Sequence, residues 1–222
     1  MNLFDRMKEY YEKASSVRLV RRMPVIIRVD GKAFHTLLKN RKSFDNHFMN
    51  SMVSAATLTM HNIQGCKLAY VQSDEASFFL TDYDDLYTEA WFGYVKSKIE
   101  SVSASLMTYY FNKKYCLRLP ALFDSRSFNI PKEEIVNYFV WRAKDWERNS
   151  LSMYCREFFS HRKMMNKNTS EQHEMLHSIG KNWSTDLSSR EKNGTFIVED
   201  LSYKYVLPSY NDIKELINES YL

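Results

Sequence analysis

"VIIRVDGKAFH", residues 25–35, decides how the fold is read. Val25, Ile26, Ile27 and Val29 make a buried-strand signal that ends on Asp30-Gly31. An Asp-Gly pair between apolar runs ordinarily marks a tight hairpin turn, but an acid at the end of a buried strand is also where a metal-dependent enzyme places a ligand. The residues that follow separate the two readings. No second strand signal comes next. Instead Phe48, Met52, Val53, Ala56, Met60 and Ile63 recur at helical spacing between about Asp45 and Asn62, with Gly65 where a helix stop belongs. The order is strand, loop, helix.

Working outward, "CKLAYVQSDEASFFL" (66–80) holds two apolar runs, Leu68 to Val71 and Ser77 to Leu80, around the polar knot Gln72-Ser73-Asp74-Glu75. This reads as a hairpin with acids at its tip. A long helix is expected from about Leu86 to Lys113, with Val95, Ile99, Val102 and Leu106 as its apolar stripe. "ALFDSRSFNI" (121–130) is a further strand, closed by Pro131. A helix then runs to about Phe159, its early acids Glu133 and Glu134 suiting the positive end of the dipole. A short helix spans about Glu171 to Ile179, and "GTFIVE" and "KYVL" in the tail are strand-like.

Residues 24–131 thus read β-α-β-β-α-β. This is an α+β, ferredoxin-like arrangement, the palm of many polymerases and nucleotide cyclases, with helices on one face of an antiparallel sheet. Residues 132–222 add helices and a small β element, and 1–222 is read as one catalytic domain.

Bulk properties narrow the function classes. An apolar fraction of 44% and a charged fraction of 26% are those of a globular protein. No apolar run is long enough for a membrane helix and the charged amino-terminal segment does not suit a secretory signal, so a cytoplasmic protein without a membrane partner is expected. Cys66, Cys116 and Cys155 form no CxxC pair, which indicates neither a disulfide framework nor a cysteine zinc site. A net charge of +4 leans mildly towards polyanions, with basic clusters at Arg18, Arg21 and Arg22 and at Lys39, Arg41 and Lys42.

In this topology strands one and three are neighbours, so Asp30 and Asp74 can converge. Two carboxylates meeting at a strand end repel unless a cation lies between them, and hard oxygen donors suit Mg²⁺. The Gly31 carbonyl can add a ligand, and the loop through Lys32, Ala33, Phe34 and His35 can wrap its amides around a triphosphate, with Lys32 and Lys42 supplying charge. Taken singly, Asp30-Gly31 could be a turn, Asp74 and Glu75 hairpin polarity, and His35 an ordinary loop or core histidine.

"RVDGKAFH", "KSFD" (42–45) and "QSDEASFF" (72–79) resemble, in order and spacing, the signature segments of the tRNA(His) guanylyltransferase superfamily. So do "DRMKEYYE" (5–12), "FDSR" (123–126) and "IGKNW" (179–183). The resemblance implies a palm enzyme that adds nucleotides to the 5′ end of tRNA in the 3′-to-5′ direction. Asp30, the Gly31 carbonyl and Asp74 would hold two Mg²⁺ ions, with Glu75 supporting the metal site as a third catalytic acid. Asp30 to His35, Lys42, Ser73 and Asp74 would bind nucleoside triphosphates, ATP and GTP among them. Lys98 falls where the family has a basic residue near RNA, and Arg126, Arg148 and Asn149 are further candidates for tRNA contact; the last two could be surface helix residues, with substrate contact the preferred reading. Where relatives specific for tRNA(His) carry His-Ile-Asn-Asn, this chain reads "WERNS" (146–150), similar to the guanylyltransferase-like branch that repairs 5′-truncated tRNA by template-dependent addition. Specific guanylylation of tRNA(His) is the alternative. The resemblance also implies a homotetramer.

Two rivals come from other classes. "HEMLH" (173–177) matches HExxH, the helical zinc-binding pattern of metallopeptidases. A non-catalytic RNA-binding module would keep the palm without its chemistry, and the intact acid pair argues against it.

Overall fold

In the computed structural model, which describes residues 1–38 and 43–222, the palm order is β1 (Val25–Gly31), α1 (Asn46–His61), β2 (Cys66–Gln72), β3 (Glu75–Leu80), α2 (Lys96–Lys114) and β4 (Phe123–Asn129). Two longer helices follow, α3 (Ile135–Arg156) and α4 (Thr169–His177), then β5 (Thr195–Val198) and β6 (Tyr203–Lys204). Among the described residues the strands form one antiparallel sheet ordered β4-β1-β3-β2-β5-β6. The carboxy-terminal hairpin therefore lengthens the palm sheet beyond β2.

Alternation along the strands sorts side chains to two covered faces. Val25, Ile27 and Val29, with Phe78 and Leu80, pack against Met52 and Ala56 of α1 and Ile99, Met107 and Phe111 of α2. The intervening Ile26, Leu68, Tyr70 and Phe79 pack against Ile135, Phe139 and Ala143 of α3. The palm's own helices do share one face, and α3 closes the other. Burial on both sides explains why β3 is buried at every position and reads as a near-continuous apolar run.

Local chemistry sets the helix ends. Asp45 caps α1, its side chain accepting from the amides of His47 and Phe48. Asn168 and Glu171 form a reciprocal capping box at the start of α4. The expected helix from Leu86 is corrected: α2 begins only at Lys96. Asp82 is buried and binds Arg21 and the Arg22 amide, Arg22 donates to the Asp85 and Leu86 carbonyls, and Arg18 donates to the Gly93 carbonyl. These bonds hold residues 82–95 as an irregular strap against the chain before β1, with Phe92, Gly93 and Tyr94 all at left-handed φ. The fully buried row of α2 is Ile99, Ser103, Met107 and Phe111; Ile99 stands as expected, and Val102 and Leu106 are partly buried beside it. "KYVL" contributes only Lys204 to β6, and Tyr205 and Leu207 are exposed.

Below β1 the rings of Phe34, Phe48, Phe111 and Phe123 form a cluster with centroids 5.1–5.9 Å apart. Phe111→Ala should cost about 3–5 kcal/mol in chemical denaturation, the usual range for emptying a buried aromatic site, and should loosen the loop that carries Phe34.

Candidate active site

Strand pairing brings the acids together. In the β1–β3 register Asp30 stands opposite Glu75, and the Gly31 amide donates to the Asp74 carbonyl at 3.0 Å. Asp74 and Ser73 are the two turn residues between Gln72 and Glu75, with Ser73 at φ +46. A Cβ at Gly31 would lie 2.9 Å from the Asp74 Cβ and 2.4 Å from the Phe34 ring, so position 31 has no room for a side chain. Glycine here answers a close approach.

Burial raises the Asp74 carboxyl above its ordinary value; the negative charges of Asp30 and Glu75 push the same way, while a hydrogen bond with the Ser73 hydroxyl opposes them. A cation between Asp30 and Asp74 would relieve that repulsion, and oxygen donors at a strand end fit a magnesium ion completed by substrate phosphates. Opposite Asp30 on β4 stands a third acid, Asp124, which pairs with Arg126 at 3.3 Å; Arg126 also lies 4.0 Å from Asp30.

The loop expected to bind phosphate follows β1. Lys32 donates its amide to the Leu122 carbonyl, Ala33 takes left-handed φ, and a single turn spans Phe34–Leu37. The amides of Ala33, Phe34 and His35 meet no acceptor among the described residues, while Lys32 and His35 are exposed and the Phe34 ring is buried as the floor. Lys42 lies outside the described residues.

Two clefts open beside Asp74. One, of about 430 Å³, is lined by Phe34, His35, Asp45, Ser73, Asp74 and Tyr115 among others. The other, of about 410 Å³, lies under α3 and includes Asp30, Asp74, Glu75, Arg142, Asp145 and Asn149. Ser73, Asp74, Met153 and Arg156 line both.

Glu75 is placed differently from its neighbour. Its buried carboxylate accepts from Arg142 Nε and Nη2, both at 2.8 Å, and Arg28 Nε lies 3.0 Å from Oε2 without hydrogen-bond alignment. Arg142 continues to Asp145, which also holds Arg148 and Asn149. Of the tRNA candidates, Asn149 faces the acids, whereas Arg148 opens into a separate cleft with His173 and Trp183. Lys98 is exposed in the first turn of α2 and lines neither cleft beside Asp74. His173 and His177 have ring centroids 6.4 Å apart, and His173 packs at 5.8 Å on Trp183. No third His, Cys, Asp or Glu completes a metal-binding group among the described residues, so "HEMLH" reads as a helix packed on Trp183.

Sequence reasoning missed Arg142, Asp145 and Arg156. Their signal was a polar row on α3 at helical spacing, Arg142, Asp145, Asn149, Ser152 and Arg156, running beside its buried stripe, with Arg142 itself buried.

Known proteins share the sequence pattern and the fold of this chain. The family model for tRNAHis guanylyltransferase matches residues 4–131. The tRNA(His) guanylyltransferase of Schizosaccharomyces pombe is 32% identical over 161 residues, covering 67% of this chain and 58% of its own length. This chain spans about half the length of the curated relatives it matches. A bacterial tRNA(His) guanylyltransferase-like protein solved in complex with ATP superposes with a TM-score of 0.89 at 37% identity, over 96% of both chains. Another such structure, in complex with GTP, gives 0.78 at 34% identity over 99% of this chain and 98% of that one.

Glu75→Ala should destabilise the protein by about 3–5 kcal/mol, because it strands a buried guanidinium; urea denaturation measures it. Asp74→Asn should act oppositely. Folding raises the Asp74 pKa above 3.8, so this carboxyl favours the folded state in acid and that contribution is lost as pH rises through the raised value. Without divalent cation the Asn variant should melt above wild type at neutral pH, the gap closing in acid. Thermal scans with and without Mg²⁺ test this, and wild type alone should gain from the ion.

Proposed function

We propose, from the premise that this chain belongs to the tRNAHis guanylyltransferase family, that it is a template-dependent 3′-to-5′ nucleotidyltransferase that rebuilds the 5′ end of truncated tRNA. The observation that carries the reading is the convergence of Asp30 and Asp74 at one strand end, beside a loop whose Lys32 is exposed and whose amides at Ala33, Phe34 and His35 meet no acceptor among the described residues. The substitution of "WERNS" for the His-Ile-Asn-Asn segment, together with similarity over nearly the whole chain to guanylyltransferase-like proteins, favours end repair over guanylylation of tRNA(His) alone.

Asp30, the Gly31 carbonyl and Asp74 would hold two Mg²⁺ ions, which when bound lower the pKa of an attacking hydroxyl and neutralise phosphate charge. The residues from Lys32 to His35, with Ser73, would bind and orient the triphosphate. Lys42 is expected to add charge there. A 5′-monophosphate end would first attack the α-phosphorus of ATP, releasing pyrophosphate. The 3′-hydroxyl of an incoming nucleotide, paired opposite the template base, would then attack the activated 5′ phosphate and release AMP; an end already bearing a triphosphate would release pyrophosphate directly. No protein nucleophile is required, because catalysis is positioning and charge stabilisation. Glu75 would act through the hairpin, holding Asp74 in place by its bonds to α3. Asn149 would touch substrate in the cleft under α3, with Lys98, Arg126 and Arg148 along the path of the tRNA. A homotetramer is the assembly proposed with this function.

Wild type incubated with tRNA lacking one or more 5′ nucleotides, ATP, Mg²⁺ and labelled nucleotide should extend the 5′ end with the base that the opposite strand specifies. Asp74→Ala should lower the rate on the order of 10²-fold or more, the scale of losing one strong transition-state contact. Absence of extension, or equal extension by the variant, would sink the reading.

A further inference from the structure

Arg156 stands in the last turn of α3, exposed, and its guanidinium makes no hydrogen bond or ion pair with any described residue. The other arginines near the acids are engaged: Arg142 with Glu75 and Asp145, Arg148 with Asp145, Arg126 with Asp124. Arg156 is also one of four residues that line both clefts, and Asp74 is another. A free cation thus sits at the crossing between the phosphate loop's cleft and the cleft under α3. A guanidinium presents a planar fork of donors that matches phosphate oxygens two at a time.

We infer that Arg156 binds a phosphate group at this crossing, as a substrate-touching residue for the reaction proposed above, on which this inference rests. The phosphate belongs either to the triphosphate of a nucleotide or to the 5′ terminus of the RNA. Both present the same chemistry, and binding measurements without turnover separate them.

The probes are ATP with Ca²⁺ in place of Mg²⁺, inorganic tripolyphosphate, and truncated tRNA bearing either a 5′ phosphate or a 5′ hydroxyl. Arg156→Ala should weaken at least one phosphate-bearing probe by roughly 10- to 100-fold, the scale of a lost charge-assisted hydrogen-bonded contact. Arg156→Lys should recover part of the loss, since it keeps the charge without the fork. A loss confined to ATP and tripolyphosphate assigns the nucleotide; one confined to 5′-phosphorylated tRNA, absent with the 5′ hydroxyl, assigns the RNA end. Lys132→Ala, just before the opposite end of the same helix, controls for net charge and should change nothing. Unchanged affinity for all four probes in Arg156→Ala, or an equal loss in Lys132→Ala, overturns the inference. Wild type that binds phosphate through Arg156 yet extends no tRNA would overturn the proposed function and leave Arg156 standing.

Discussion

The hydrogen bond from the Gly31 amide to the Asp74 carbonyl is the constraint on which the site depends. It lies one step beyond the last β1–β3 pair, Asp30 with Glu75, and it brings a strand end and a hairpin tip, distant in sequence, to backbone contact. Closeness of that order excludes a side chain at position 31 and fixes the Phe34 ring beneath it, among aromatic rings that leave it little freedom. The course of the loop after β1 goes with it: Ala33 turns through left-handed φ immediately before the anchored Phe34.

Glu75 and Asp74 are adjacent, yet their charges meet opposite fates. Glu75 is the first residue of β3, so strand alternation turns it towards α3, where Arg142 grips both of its oxygens. Asp74 sits in the turn and faces Asp30, with burial and repulsion both acting against its ionisation. The pairing of the first anchors the strain of the second. Bonded on two sides, the hairpin cannot swing Asp74 away from Asp30, which is the relaxation that like charges would otherwise favour.

Much of this was legible because the residues obey simple periods. The strand–helix–strand order from Val25 to Leu80 follows from β-branched runs and a helical stripe, and strand adjacency in that topology already joins Asp30 to Asp74. The start of α2 was not legible. The stripe from Val95 to Leu106 says nothing of where the helix starts, and buried Asp82 recruits Arg21 and Arg22 from before β1 to hold residues 82–95 out of it. The role of Glu75 was hidden for a similar reason: its partner Arg142 lies on a helix whose polar row looks like solvent-facing charge until α3 is packed on the sheet.

Covering both faces of the sheet also dictates how a nucleic acid could reach the acids. A palm with one bare face can lay substrate across its strands, but here α1 and α2 occupy one face and α3 the other. The β4 edge carries Asp124 and Arg126, charges of the kind that discourage a further strand from pairing there. Two clefts open at the end of the sheet where β1 stops, β3 begins and β4 starts. Asp30, Asp74 and Asp124 all belong to that end, the loop after β1 forms one wall of it, and the polar row of α3 forms the other. The two clefts beside Asp74 accordingly open between that loop and α3, and Arg156 in the last turn of α3 lines both.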